Sequence, residues 1–125
     1  MLEFFKKLPD GSTICIQPAA HNPTGVDLSA ADWDKLIEVF KKKNHFAILD
    51  TAYQGFCSGD VKVDRFGVLK FMESGLPFFV CQSYAKNMGL YCERVGSLSM
   101  VAKSENEVPN LESQIKVNFS KTLSE

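Results

Sequence analysis

The sequence predicts an α/β protein built on a mostly parallel sheet with flanking helices. Two observations carry that prediction. Short β-rich runs alternate with longer stretches whose apolar residues fall at helical spacing, an order that yields parallel strands joined by crossovers. Three of those runs also end in polar clusters, "AAHNPTG", "DTAYQG" and "SYAKN". Open parallel sheets gather ligands at just such carboxyl ends.

The elements follow in order. "TICIQ" (13–17), ended by Pro18, reads as the first strand. In "LSAADWDKLIEVFKKKN" the residues Trp33, Leu36, Ile37 and Phe40 stand at offsets of 0, 3, 4 and 7, a helical stripe. Ser29 caps its start, and Asp32 three residues on completes a capping-box pattern. "FAILD" (46–50), a continuous apolar run too short for a helix, reads as a buried strand. A second helix starts near Asp64 and stops at Gly75, burying Val68, Leu69 and Met72. "PFFVCQ" (77–82) is the third strand and "RVGSLSMVA" (94–102) the fourth, before a last helix from about Pro109 to Val117.

Composition narrows the function classes. The chain has 125 residues, 45% of them hydrophobic, and a net charge of -1, so it amounts to one domain at most. The near-neutral balance gives no reason to expect nucleic acid or an anionic membrane as partner. Lys41, Lys42 and Lys43 read as a solvated helix end, where the macrodipole favours cations. No stretch approaches the ~20 apolar residues of a membrane span. The N-terminal "MLEFFKKLPDG" has the layout of neither a signal nor a transit peptide. Cys15, Cys57, Cys81 and Cys92 form no CxxC pair and stand at no zinc-ligand spacing, so they read as free thiols, with no metal.

The three strand ends hold the candidate chemistry. Lys86 lies in the uncharged surroundings "CQSYAKNMGLYC". A surface lysine is the ordinary alternative; the functional one is an amine nucleophile for an aldehyde. Asp50 ends an apolar strand, either as a turn cap or as an acceptor for a protonated ring nitrogen. Tyr53 can offer its phenol, and Asn22 its amide, to a ligand oxygen. Pro23 and Gly25 are turn residues and His21 is structural. Ser83 and Arg94, a hydroxyl and a guanidinium flanking the lysine loop, can cradle a phosphate. An aldehyde-reactive lysine, a carboxylate for a pyridinium and a phosphate cradle together describe pyridoxal 5'-phosphate.

"AHNPTGVD", "DTAYQGFCSGD" and "CQSYAKNMGLYCERVG" resemble the aspartate aminotransferases, fold-type I enzymes that use pyridoxal phosphate. The likeness runs from about Leu2 to Val117, and "SYAKNMGLY" is closer to the mitochondrial form. It implies that residues 1–117 are part of the large, cofactor-binding domain. It also implies reversible amino transfer between L-aspartate and 2-oxoglutarate, giving oxaloacetate and L-glutamate. Lys86 would bind the cofactor covalently as a Schiff base and then move the substrate's proton. Asp50 would hold the ring nitrogen, Tyr53 and Asn22 the ring oxygen, and Ser83 and Arg94 the phosphate. The resemblance implies a homodimer for the whole enzyme and a mitochondrial location, with the cytoplasm as alternative and no targeting segment in this chain.

Two departures matter. The family's glycine-rich phosphate loop and stacking aromatic lie upstream of the matched part, and its arginine for the substrate's α-carboxylate lies downstream. Residues 118–125, within "NFSKTLSE", read as a divergent tail, with Ser120 where the family places an arginine for the side-chain carboxylate. The expectation is a chain with little activity alone. The alternatives are a non-catalytic truncated product that folds poorly or interferes with dimer assembly, a small α/β binding module, and a relative within the family acting on aromatic amino acids.

Overall fold

Three parallel strands and one antiparallel edge strand form the sheet. The computed structural model describes residues 1–122, with side chains through residue 118, so the Ser120 comparison and most of the predicted tail lie outside the described side chains. Along the chain run α1 (Leu2–Lys7), β1 (Thr13–Ile16), α2 (Ala30–Lys43), β2 (Phe46–Thr51) and the short α3 (Val61–Asp64). Then come α4 (Phe66–Ser74), β3 (Phe78–Ser83), β4 (Gly96–Val101) and α5 (Val108–Thr122). The strands lie side by side in chain order. β1 pairs parallel with β2 and β2 with β3, whereas β4 returns antiparallel along β3. Parallel neighbours need long crossovers, which α2 and the α3–α4 pair supply. The loop from β3 to β4 instead folds into turns at one end of the sheet, so β4 comes back the other way.

α2 forms as its sequence predicts. Ser29 is extended, and its hydroxyl accepts the Asp32 backbone N–H at 3.2 Å. The helix stops where Asn44 takes a left-handed conformation, φ 51°. Trp33, Leu36, Ile37 and Phe40 are all buried, at about 1.5–3 kcal/mol each relative to exposure. Of the terminal lysines, Lys41 and Lys42 are exposed, while Lys43 is half-buried and pairs with Asp10.

The second helix departs from expectation. A short α3 precedes α4, and α4 buries Gly67 and Phe71, while Val68 and Leu69 are half-buried and Met72 is 58% exposed. The reason is Gly67. A Cβ there would stand 2.5 Å from the Trp33 ring and 2.9 Å from Pro18. The bare backbone therefore presses onto α2, and the residue four positions on, Phe71, turns inward with it. Phe71 meets Trp33, Phe40 and Phe78 at ring-centroid distances of 6.2, 5.4 and 5.5 Å. Met72 faces away.

α1 is an element that the sequence reading did not assign. Its Phe5 packs edge-on against Phe40 at 6.3 Å, and the Phe5 carbonyl accepts a hydrogen bond from buried His45 Nε2 at 3.1 Å. Helices and core thus cover one face of the sheet, where Ile14, Ile16, Ala47, Leu49 and Phe78 are buried. β2 is not buried on both faces, as a continuous apolar run suggests, but on alternate residues. On the opposite face Phe46, Ile48 and Phe79 are half-buried and Cys15 is exposed.

Two carboxylates hold the loops beyond the strand ends. Asp64 is buried and accepts backbone N–H bonds from Gly55, Cys57 and Ser58 at 2.8 to 3.1 Å. Asp27 accepts the N–H of Ala20 at 2.8 Å, that of His21 at 2.9 Å and the Cys57 thiol at 3.1 Å. It thereby holds Ala20 at φ 52°, a left-handed conformation that costs a residue with a Cβ about 1–2 kcal/mol. Partial burial pushes the Asp27 carboxyl up, but the His21 and Ala20 N–H groups and the Cys57 thiol outweigh it and hold it below the usual range.

Gly67→Ala is expected to lower the stability of the chain by about 1–3 kcal/mol through overpacking against Trp33, read from urea unfolding; an unchanged midpoint would refute that packing. For Asp27, a depressed folded pKa means stabilisation that is present above the unfolded value of about 3.9. It is lost as pH falls through the folded value. The amide resonances of Ala20 and His21 should therefore move together below about pH 4, and should stay flat in Asp27→Asn.

Candidate functional site

The parallel register brings three strand ends to one level. Asp50 stands opposite Cys81, and Thr51 opposite Gln82. Because side chains alternate along a strand, buried Thr51 faces the helices, and its hydroxyl donates to the Cys81 carbonyl at 3.1 Å. Asp50 projects to the other face, half-buried. Its Oδ2 accepts a 3.1 Å hydrogen bond from Gln17 Nε2. Cys15 and Cys81 lie on the same face, their thiols pushed up first by a partial loss of water contact and second by the Asp50 carboxylate. They stay protonated near neutral pH and leave the nucleophilic role to another group.

Lys86 lies in the turns after β3, half-buried beside buried Ala85. Its Nζ sits 4.4 Å from the centroid of the Tyr53 ring, and it makes no ion pair among the described residues. A cation over an aromatic face is held by about 0.5–2 kcal/mol, which keeps the amine against Tyr53 without a counter-charge. The loop is secured from its flanks. The Tyr84 N–H donates to the Val95 carbonyl at 3.2 Å, and the Tyr84 hydroxyl contacts Ser97 Oγ at 2.9 Å.

A cavity of about 440 Å³ lies at the paired ends of β3 and β4, lined by Asp50, Ser83, Arg94 and Gly96 among others. Ser83 Oγ accepts the Ala85 N–H at 3.3 Å. Arg94 holds a left-handed backbone, φ 48°, and Nη1 donates to the Tyr91 carbonyl at 3.3 Å. Gly96 pairs with Ser83, and a Cβ on it would meet the Gln82 carbonyl oxygen at 2.5 Å. Only glycine lets β4 approach so closely here.

Of the residues named from sequence, Asp50, Ser83 and Arg94 share that cavity, and Lys86 contacts Tyr53. Asn22, Tyr53 and Lys86 do not line the cavity itself. Asn22 is exposed on the loop after β1, but its backbone N–H donates to Gln17 Oε1 at 2.7 Å and so reaches Asp50 through one side chain. His21 contacts Thr24 Oγ1 at 2.7 Å within its own turn. Sequence reasoning passed over Gln17, Asp27 and Gly96. Gln17 was there to be found: it is the polar residue closing the first strand run, the position that drew attention to Asp50 in the second.

A hydroxyl, a guanidinium and a carboxylate with acceptor capacity lining one cavity, with an amine in the loop that follows the same strand, fit a phosphorylated aromatic aldehyde. Comparison with known proteins bears on that fit. The family model for aminotransferase class I and II matches residues 2–124. The mitochondrial aspartate aminotransferase of Schizosaccharomyces pombe is 50% identical over 117 residues, 94% of this chain and 27% of the relative. The chloroplastic aspartate aminotransferase of Arabidopsis thaliana is 44% identical over 116 residues, 93% of this chain and 26% of the relative. This chain thus spans about a quarter of their length. The crystal structure of the aspartate aminotransferase of Trypanosoma cruzi matches with a TM-score of 0.92 at 36% identity, over 97% of this chain and 31% of that one. That of the aromatic-amino-acid aminotransferase of Burkholderia pseudomallei, covalently bound to pyridoxal phosphate, matches with a TM-score of 0.88 at 38% identity, over 93% and 29%. Sheet and sequence agree: the chain belongs to the class I and II aminotransferases.

Proposed function

We propose that this chain is part of the cofactor-binding domain of an aspartate aminotransferase, and that its strand ends hold pyridoxal 5'-phosphate. The observation that carries the proposal is Asp50. It is a half-buried carboxylate at a parallel strand's end, taking one side-chain hydrogen bond and sharing a cavity with Ser83 and Arg94. Bound there, the cofactor supplies an aldehyde for amines and an electron-withdrawing ring that makes a substrate's Cα–H acidic.

The chain's own residues have distinct tasks. Asp50 accepts the N–H of the ring nitrogen and keeps it protonated by its negative charge. Ser83 Oγ and the Arg94 guanidinium bind the phosphate. Asn22 and Tyr53 donate to the ring oxygen. The Lys86 amine would hold the cofactor at its aldehyde and, as a free amine, would carry the proton taken from the substrate's Cα. The reaction is amino transfer between L-aspartate and 2-oxoglutarate, in a whole enzyme that works as a homodimer. A mitochondrial location is supported by the mitochondrial relative at 50% identity.

Substrate binding needs more than this chain offers. Its arginines are Arg65 and Arg94, and the second serves the phosphate. A dicarboxylate left without cationic partners forfeits on the order of 2–5 kcal/mol per unpaired charge. Steady-state assay of the purified 125-residue chain with aspartate and 2-oxoglutarate is accordingly expected to stay at background; a full enzyme's rate would overturn this part of the reading. Titration with pyridoxal phosphate is expected to give a saturable absorbance change, with borohydride reduction fixing label on Lys86. Lys86→Ala should abolish both. Equal, weak labelling of the two chains would remove Lys86 from the site.

A further inference from the structure

We infer that Gln17 is a positioning residue for the cofactor ring, clamping Asp50 and the Asn22 loop to each other; this rests on pyridoxal phosphate binding at Asp50. Gln17 directly follows β1, is half-buried, and uses both ends of its amide. Nε2 donates to Asp50 Oδ2 at 3.1 Å, and Oε1 accepts the Asn22 backbone N–H at 2.7 Å. One planar group therefore ties the carboxyl ends of β1 and β2 together beside the site.

The chemistry of an amide suits this place. A carboxylate free to rotate loses part of its value as an acceptor for a fixed N–H, because orientation must be purchased at binding. A lysine or arginine would orient Asp50 equally well but would compensate its charge. A serine or threonine would be too short to reach both partners. Glutamine orients one oxygen and leaves the negative charge uncompensated. Asp50 Oδ1 accepts no hydrogen bond among the described residues, so the remaining acceptor capacity is available to a ring N–H. The same amide sets where the Asn22 backbone lies, and with it the start of the loop that carries the Asn22 side chain.

Two substitutions separate the two hydrogen bonds. Gln17→Met keeps the length and loses both. Gln17→Glu keeps the acceptor for the Asn22 N–H, loses the donor to Asp50 and sets a second carboxylate beside it. The full 125-residue chain and both variants are compared by amide-proton exchange without cofactor and by pyridoxal phosphate titration across pH. Exchange at Asn22 is expected to rise about tenfold in Gln17→Met and to stay near wild type in Gln17→Glu. Cofactor affinity is expected to fall about tenfold in both variants. In Gln17→Glu the pH midpoint of the bound cofactor's absorbance change should also move upward, since added negative charge favours protonated forms. Wild-type affinity and an unmoved midpoint in the variants would overturn the inference alone. A wild-type chain that takes up no pyridoxal phosphate would overturn the cofactor reading and the inference with it.

Discussion

The parallel pairing of β1, β2 and β3 is the constraint on which everything else depends. Strands that run the same way must end on the same side, and a crossover must return the chain each time. α2 and the α3–α4 pair make those returns on one face, so the polar residues that follow each strand collect at one edge. The pairing of Asp50 with Cys81 and of Thr51 with Gln82 fixes how far each end projects. A slip of one residue would turn Asp50 toward the helices and Thr51 toward the site. The aromatic contacts of Phe71 with Trp33, Phe40 and Phe78 keep α2 and α4 seated on the sheet and thereby hold that register.

Three aspartates near the strand ends show how environment divides one chemistry into two uses. Asp27 and Asp64 each accept several bonds from backbone N–H groups. Their charge is spent on loop conformation, including the left-handed Ala20. Asp50 accepts a single side-chain bond, from Gln17. A carboxylate that is oriented but not saturated is the one with capacity for a ligand. The distinction is one of hydrogen-bond inventory, since all three have the same functional group.

Much of this was legible in the sequence, for reasons that can be named. The α2 stripe of Trp33, Leu36, Ile37 and Phe40 obeys a period that only a helix satisfies, and all four residues are buried. The three polar strand ends were legible because parallel sheets leave ligand chemistry no other common edge. Met72 faces solvent because the contact of Gly67 with Trp33 sets which side of α4 turns inward, and a residue without a side chain adds nothing to the apolar stripe from which burial is read. α1 escaped because its six residues are too few to show a period, and its place depends on the distant Phe40 and His45. The even coverage expected of β2 failed because apolar character records what a residue tolerates, and the partner for Phe46 and Ile48 is not encoded in those residues.

That half-covered face lies beside the site, and the two facts have one physical root. Phe46 and Phe79 pack edge-on at 4.9 Å yet remain half-buried, so apolar area that a parallel sheet ordinarily hides is left partly in water. Asp50, on the same row, is correspondingly wetter than a fully enclosed carboxylate. In water its attraction for a ring N–H is weakened, because the interaction energy falls as the local dielectric rises. Covering the row would both stabilise the sheet and strengthen Asp50 as an acceptor. Fold stability and cofactor chemistry are therefore coupled through one face of one sheet. Orientation by Gln17 acts on the remaining factor, geometry, which the chain supplies from its own residues whatever the dielectric around them.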